Sequence, residues 1–457
     1  MSAEPTGQLE FDVVVLGAGS TGEVVAGRLG ERGLDVAIVE DRLVGGECSF
    51  YACMPSKALL RPVELAAEAR RVPGLRVGEL DATAILARRD EVIHMEDDSS
   101  QLPWLEERHV TLVRGRGRLD GARRVKVGDA TLVATRAVVV ATGSEAAIPP
   151  IPGLRDARPW TNVELTTAKV VPKRLLILGG GVVGVEMATA WAALGSRVTL
   201  VARESRLLQR EEPFAGEQVG ESLRQLGVDL RLGAGVTSVE RGDDGVVTAT
   251  LGDGGTLAAD ELLAALGRVP RTRELGLETI GVETGKALEV GDDLRVPGHD
   301  WLYALGDVNG RALLTHMGKY QARLAADAIL GETPRLRLDG GRSPRVIFTD
   351  PQVAAVGYTL VGAEQAGLAV RFVDVETGGN AGGSFVGRGA PGTARLLVDE
   401  RRVVVGMTIT GAEVAEALHA ATIAVVSELT VDELWHAVPS FPTRSELWLR
   451  LLEAYGL

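Results

Sequence analysis

The chain has 457 residues, too many for one hydrophobic core, and predicts roughly two to four domains. Its 45% hydrophobic and 24% charged residues are those of an ordinary globular protein. With 49 basic against 62 acidic residues the formal charge is -13, which argues against nucleic acid or an anionic membrane as the main partner. The opening residues carry no basic segment followed by an apolar one, and no apolar run approaches the ~18 residues that span a bilayer, so a cytoplasmic location is expected.

Phe11 to Leu16 is an apolar, β-branched run that leads into Gly17-Ala18-Gly19-Ser20-Thr21-Gly22. Glu23 to Arg32 then reads as a helix, and a second strand, Asp35 to Val39, ends at Glu40. Glycines in such a turn let the backbone approach a pyrophosphate at a helix N-terminus, and the carboxylate takes ribose hydroxyls. Gly17, Gly19, Ser20, Gly22 and Glu40 are therefore candidate dinucleotide contacts. Gly45 to Lys57 follows, holding Cys48 and Cys53, the only two cysteines in the chain. Their spacing closes a small disulfide loop, and Pro55-Ser56-Lys57 predicts a helix start with Cys53 near its N-cap. A helix N-terminus favours negative charge, so Cys53 can persist as a thiolate. In a reducing compartment such a pair is redox-active; two buried structural cysteines are the alternative reading.

Ala58 to Arg71 and Asp81 to Glu107 have the spacing of long amphipathic helices, with His94 and His109 solvated among charges. Val110 to Val133 alternates like a small antiparallel sheet. Ala137 to Ser144 is a buried strand that brings Thr142 and Gly143 beneath a nucleotide, and Ile148 to Gly153 reads as a linker. The first pattern then recurs: Arg174 to Leu178 as strand, Gly179-Gly180-Gly181-Val182-Val183-Gly184 as turn, Val185 to Leu194 as helix, Val198 to Val201 as strand. Two such units imply two dinucleotides.

The second unit ends in Ala202-Arg203, with Arg206 and Arg210 beyond, where the first has Glu40. Guanidiniums in place of the carboxylate favour a 2′-phosphate, hence NADPH over NADH. Gly184 leans the other way, because NADP sites often have alanine there, and a solvated loop is the alternative for the arginines. Leu262 to Thr272, which includes Gly267, closes the second unit. Trp301 to Asp307 reads as a strand whose Gly306-Asp307 end suits a carboxylate on a polyol chain. Leu313 to Ala328 is a helix with Thr315 and His316 in its first turn, and Arg345 to Leu457 alternates strands with helices and is expected to be an interface domain.

In this order and over nearly the whole chain, these elements resemble the flavoprotein disulfide reductases, among them dihydrolipoamide dehydrogenase, glutathione reductase and mercuric reductase. The resemblance implies an α/β fold: an FAD domain of Rossmann type (1–150 and 292–335) interrupted by an NAD(P) domain (151–291), then a dimerisation domain (340–457). It implies that Gly17, Gly19, Gly22, Glu40, Gly46, Thr142, Gly143, Gly306 and Asp307 serve FAD, with Asp307 on the ribitol. Gly179, Gly181, Gly184, Arg203, Arg206 and Gly267 would serve the nicotinamide nucleotide. Cys53 would be the charge-transfer thiol and Cys48 the outer, interchange thiol. Lys57 and Glu186 match the family's ion pair beside flavin N5, and Phe348 to Pro351 the start of its dimerisation domain. The partner implied is a second copy of the chain sharing the active site.

Departures are visible. Glu47 stands where the family usually has threonine, and Phe50 and Ala52 stand where it has asparagine and glycine. Phe441 occupies the place of the histidine that shuttles protons for the partner's interchange thiol, while Glu446, that histidine's usual companion, is kept. A similar replacement marks the 2-ketopropyl coenzyme M oxidoreductase/carboxylase branch, which also changes the glutamate. A phenyl ring transfers no proton, so slow turnover of ordinary disulfides is expected unless His436 or His316 substitutes. Mercuric reduction is disfavoured for want of further C-terminal cysteines. A quinone or small-electrophile reductase working from the flavin, and a non-catalytic flavoprotein, are the rival readings.

Overall fold

The computed structural model describes residues 6–457. They form two compact units, one of residues up to 55 with 90–147 and 268–340, the other of 56–89, 148–267 and 341–457.

In the first unit, strand Gly7–Leu16 lies parallel between Val36–Glu40 and Ala130–Val140, and Val36–Glu40 pairs in parallel with Val110–Arg114. The far end of Ala130–Val140 also takes Leu302–Ala304 in parallel. These are the β-branched runs of the sequence, and Val13, Val15, Ile38 and Val139 are fully buried, as befits a parallel sheet covered on both faces. Helix Ser20–Glu31 begins directly after the glycine turn. Gly17 has φ 100°, and a Cβ there would stand 2.6 Å from the Ala141 carbonyl oxygen, so only glycine fits.

Three sequence expectations change here. The long helix over 81–107 is broken into Ala82–Val92 and Leu102–Glu106 with two short 3₁₀ turns between. His94, Met95 and Glu96 have positive φ, and Asp98 leaves the helical path to accept from Val44 N–H (2.7 Å) and Arg114 (2.6 Å). Val110–Arg114 belongs to the parallel sheet, and only the three strands after it form the antiparallel meander. Finally, Arg268–Pro270 pairs with Ser144–Ala146, and Leu119 N–H donates to Leu275 O, so the chain returns to the first unit at Arg268 and not at residue 292.

The second unit holds a parallel sheet in the order Asp229–Leu232, Arg197–Ala202, Arg174–Leu178, Glu261–Ala264. Helix Val182–Ala193 packs on it through Trp191, which has no exposed surface. The C-terminal region is a five-stranded antiparallel sheet, Arg345–Ile347, Gln352–Gly357, Val404–Gly411, Thr393–Asp399 and Val370–Glu376. Among the described residues no helix is long and apolar enough to cross a membrane.

Candidate active site

The first unit builds a dinucleotide cradle at the C-terminal edge of its sheet. Glu40 ends its strand with one carboxylate oxygen accepting from Ala18 N–H and the other from Arg42 N–H, both at 2.8 Å, and burial raises its carboxyl above the usual range. In the first turn of helix Ser20–Glu31, burial raises Glu23 to about 7, with Lys319 opposing the shift and Glu40 adding to it. Asp307 is also raised by burial; Ser144 Oγ donates to its Oδ2 at 2.5 Å, and among the described residues no hydrogen bond reaches its Oδ1. Gly306 N–H is held by Gln321 Oε1 at 2.8 Å, which fixes the turn that presents Asp307. Thr142 is committed to the Arg271 carbonyl (2.8 Å), while the Cβ direction of Gly143 is open. A bare helix N-terminus, a strand-end carboxylate and a half-buried carboxylate with an open oxygen fit the pyrophosphate, ribose and polyol of FAD.

The cysteines lie in this unit. Cys48 sits within the short helix Gly46–Phe50, which the sequence did not announce, and Cys53 is the first residue of helix Cys53–Arg71. The two form no disulfide with each other, and Cys53 Sγ is 3.2 Å from Thr315 Oγ1 at the start of helix Thr315–Ile329. The Cys48 thiol is pushed far above the usual cysteine range, first by its hydrogen bond to Cys53, then by burial and by charge on Cys53. The bulky residues of the loop are turned into the protein: Phe50 is 1% exposed and Tyr51 8%, with Tyr51 donating to Glu96 at 3.1 Å.

Glu47 also turns inward. Its two oxygens accept from Arg268 (2.5 Å) and Arg271 (2.9 Å), and Arg268 reaches on to Ser144 Oγ and O. No sequence signal marked this cluster, because its members come from three separated segments.

In the second unit Gly179 repeats the geometry of Gly17, with φ 115° and the Ala265 carbonyl oxygen 2.2 Å from a would-be Cβ. Gly181 caps helix Val182–Ala193, and a Cβ on Gly184 would strike the Gly179 carbonyl, so the helix packs tightly on the turn. Gly267 has φ 115° and open space beside it. Arg203 is exposed, whereas Arg206 donates to the Gln209 carbonyl (3.1 Å) within its own loop. Lys57 Nζ bonds Glu186 Oε2 at 2.8 Å, and Glu186 Oε1 accepts from Phe348 N–H at 2.9 Å.

Phe441 is 77% exposed in the single chain. Glu446, kept without its usual histidine, is buried and accepts from Gly382 N–H at 3.0 Å. His436 and His316 are both exposed. Among the described residues no group of His, Cys, Asp and Glu is arranged to hold a metal ion.

Two glycine-turn cradles and a dithiol at a helix start define a dinucleotide-dependent oxidoreductase. The chain belongs to the pyridine nucleotide-disulphide oxidoreductase family, matching it over residues 11–327 and its dimerisation domain over 343–451. Members of this family are FAD-dependent and use NAD(P)H, and the dimerisation domain supports a homodimer. The chain is 31% identical to a mercuric reductase from Lysinibacillus sphaericus, over 95% of this chain and 81% of that protein. It is 30% identical to dihydrolipoyl dehydrogenase from Chlamydia muridarum (96% and 95% covered) and to glutathione reductase from Burkholderia cepacia (97% and 98%). Among solved structures, LpdA from Mycobacterium tuberculosis superposes with a TM-score of 0.85 at 27% identity, covering 99% of this chain and 100% of that one. The HOCl-induced flavoprotein disulfide reductase RclA from Escherichia coli also reaches 0.85, at 25% identity, with 97% and 99% covered.

Proposed function

We propose that the protein is a homodimeric oxidoreductase that takes hydride from NADPH and passes reducing equivalents through FAD to Cys48 and Cys53, and from them to an acceptor other than the common disulfides. The observation that carries this reading is the asymmetric dithiol, with Cys53 at a helix N-terminus beside Thr315 and Cys48 in the short helix before it. FAD, when bound, supplies the two-electron relay between nicotinamide and sulfur. Gly17, Gly19, Ser20, Gly22, Glu40, Gly46, Gly143 and Asp307 hold it, and Thr142 orients the adjoining turn. Gly179, Gly181, Gly184 and Gly267 admit the nicotinamide nucleotide, and Arg203, exposed beside the strand end, selects its 2′-phosphate.

Within the pair, Cys53 carries the charge and Cys48 keeps a proton until it attacks. Lys57 and Glu186 form the ion pair of the hydride path. In the interchange step a proton must reach the leaving thiolate, and Phe441 cannot deliver it. Phe441→His, with Glu446 already seated nearby in sequence, is expected to raise turnover of glutathione- or lipoamide-type disulfides about tenfold, the low end of a general acid–base contribution. A cytoplasmic location fits a dithiol that must cycle.

The test is anaerobic titration of the flavoprotein with NADPH, followed by absorbance. A long-wavelength thiolate-to-flavin band that vanishes in Cys53→Ala supports the relay. Full NADPH-dependent quinone reduction in a variant lacking both cysteines, without such a band in the native protein, would replace it with the direct flavin reading. That rival draws on one observation, the exposed aromatic at the place of the acid–base group.

A further inference from the structure

Arg268 stands between two carboxylates, Glu47 and Asp307, and is spent on one of them. Its Nη2 donates to Glu47 Oε2 at 2.5 Å and to the Ser144 carbonyl at 2.9 Å, and its Nε donates to Ser144 Oγ at 2.6 Å. Its approach to Asp307 stops at 3.7 Å, from Nε to Oδ2, too far for a hydrogen bond. Ser144 Oγ fills the gap, accepting from Arg268 and donating to Asp307 Oδ2 at 2.5 Å. Asp307 Oδ1 is thus left as an acceptor. Glu47 is itself anchored from the other side by Arg271 at 2.9 Å, and its side chain is only 16% exposed, so its position is fixed.

Without the Glu47 carboxylate, Nη2 loses its anionic partner, and the nearest remaining anion is Asp307. A guanidinium released beside a half-buried carboxylate closes onto it in a forked, charge-assisted pair, which takes both oxygens. We propose that Glu47 is a positioning residue for the flavin: by holding Arg268 away from Asp307 it keeps one Asp307 oxygen open for a polyol hydroxyl. The proposal rests on the FAD reading above, and it gives the glutamate that replaces the family's usual threonine a task.

The test uses the FAD-loaded protein as purified, diluted into flavin-free buffer, with release followed by the rise of free-flavin fluorescence. Glu47→Leu, which leaves Nη2 no acceptor at this position, is expected to weaken FAD retention about tenfold, the scale of one lost charge-assisted hydrogen bond. In the double variant Glu47→Leu with Arg268→Met the competing guanidinium is gone, and retention should return to within about twofold of the native protein. Thermal melts of each variant at saturating FAD verify that the fold is intact. Native retention in Glu47→Leu, or a double variant that loses FAD as fast as the single one, would overturn the proposal. A native protein that carries and binds no FAD would instead overturn the reading on which it rests.

Discussion

Glu186 joins three segments of the second unit through two bonds, and its removal gives a calculable loss. Its side chain is 4% exposed; one oxygen pairs with Lys57 at 2.8 Å and the other accepts the Phe348 N–H at 2.9 Å. In Glu186→Leu the Phe348 N–H loses its acceptor, which costs about 1–3 kcal/mol. Lys57 loses its counter-ion, but its side chain is 36% exposed, so water recovers most of that energy and about 1 kcal/mol is the discounted share. The Lys57 ammonium also rests 4.8 Å from the centre of the Phe348 ring, so the phenyl face shares its charge. The total is roughly 2–4 kcal/mol for Leu, and about 1 kcal/mol for Glu186→Gln, whose amide oxygen can still take the Phe348 N–H. Equilibrium urea unfolding at fixed protein concentration and saturating FAD measures both. If Glu186→Leu fell within about 0.5 kcal/mol of the native protein, the bonds would be incidental and the reasoning would fail.

Burial raises Glu23 to about 7 in the folded chain from 4.5, so between those values the fold binds a proton the unfolded chain has lost. Stability therefore falls as pH rises through that window, and Glu23→Gln should flatten the slope and gain on the order of 3 kcal/mol by about pH 8, measured as urea midpoints against pH. Equal slopes in both proteins would refute the burial. Cys53→Ala removes the partner that holds the Cys48 thiol protonated. Alkylation of Cys48 by iodoacetamide should then set in at lower pH than in the reduced native pair, with burial still holding the thiol above its ordinary range; an unchanged profile would mean that burial alone sets it. Arg203→Ala should cut kcat/KM for NADPH about tenfold and leave NADH unaffected, since one guanidinium–phosphate contact is removed. Equal native efficiency with the two nucleotides would exclude a 2′-phosphate site.

Much of the fold was legible in the sequence because its signals are local. The runs before Gly17 and Gly179 are apolar, the turns need residues without a Cβ, and the helices start where the glycines end; each fact concerns neighbours in the chain. Cys48 and Cys53 were equally plain, and helix Cys53–Arg71 does begin at the second cysteine. What composition and spacing could not decide was how distant segments compete for the same partners. The helix expected over 81–107 has sufficient amphipathic spacing, but Asp98 is drawn out to hold Val44 and Arg114, and the helix breaks. Residues 268–291 follow the second dinucleotide unit in sequence, yet pair with Ser144–Ala146 and Leu119 of the first. Glu446 looked orphaned because its expected histidine is missing, and the fold gave it the Gly382 N–H instead. Glu47 read only as a departure from a pattern; that its charge is divided between Arg268 and Arg271, more than two hundred residues away, is a decision of the tertiary structure alone. A buried carboxylate must find donors wherever the chain brings them, and no periodicity records where that will be.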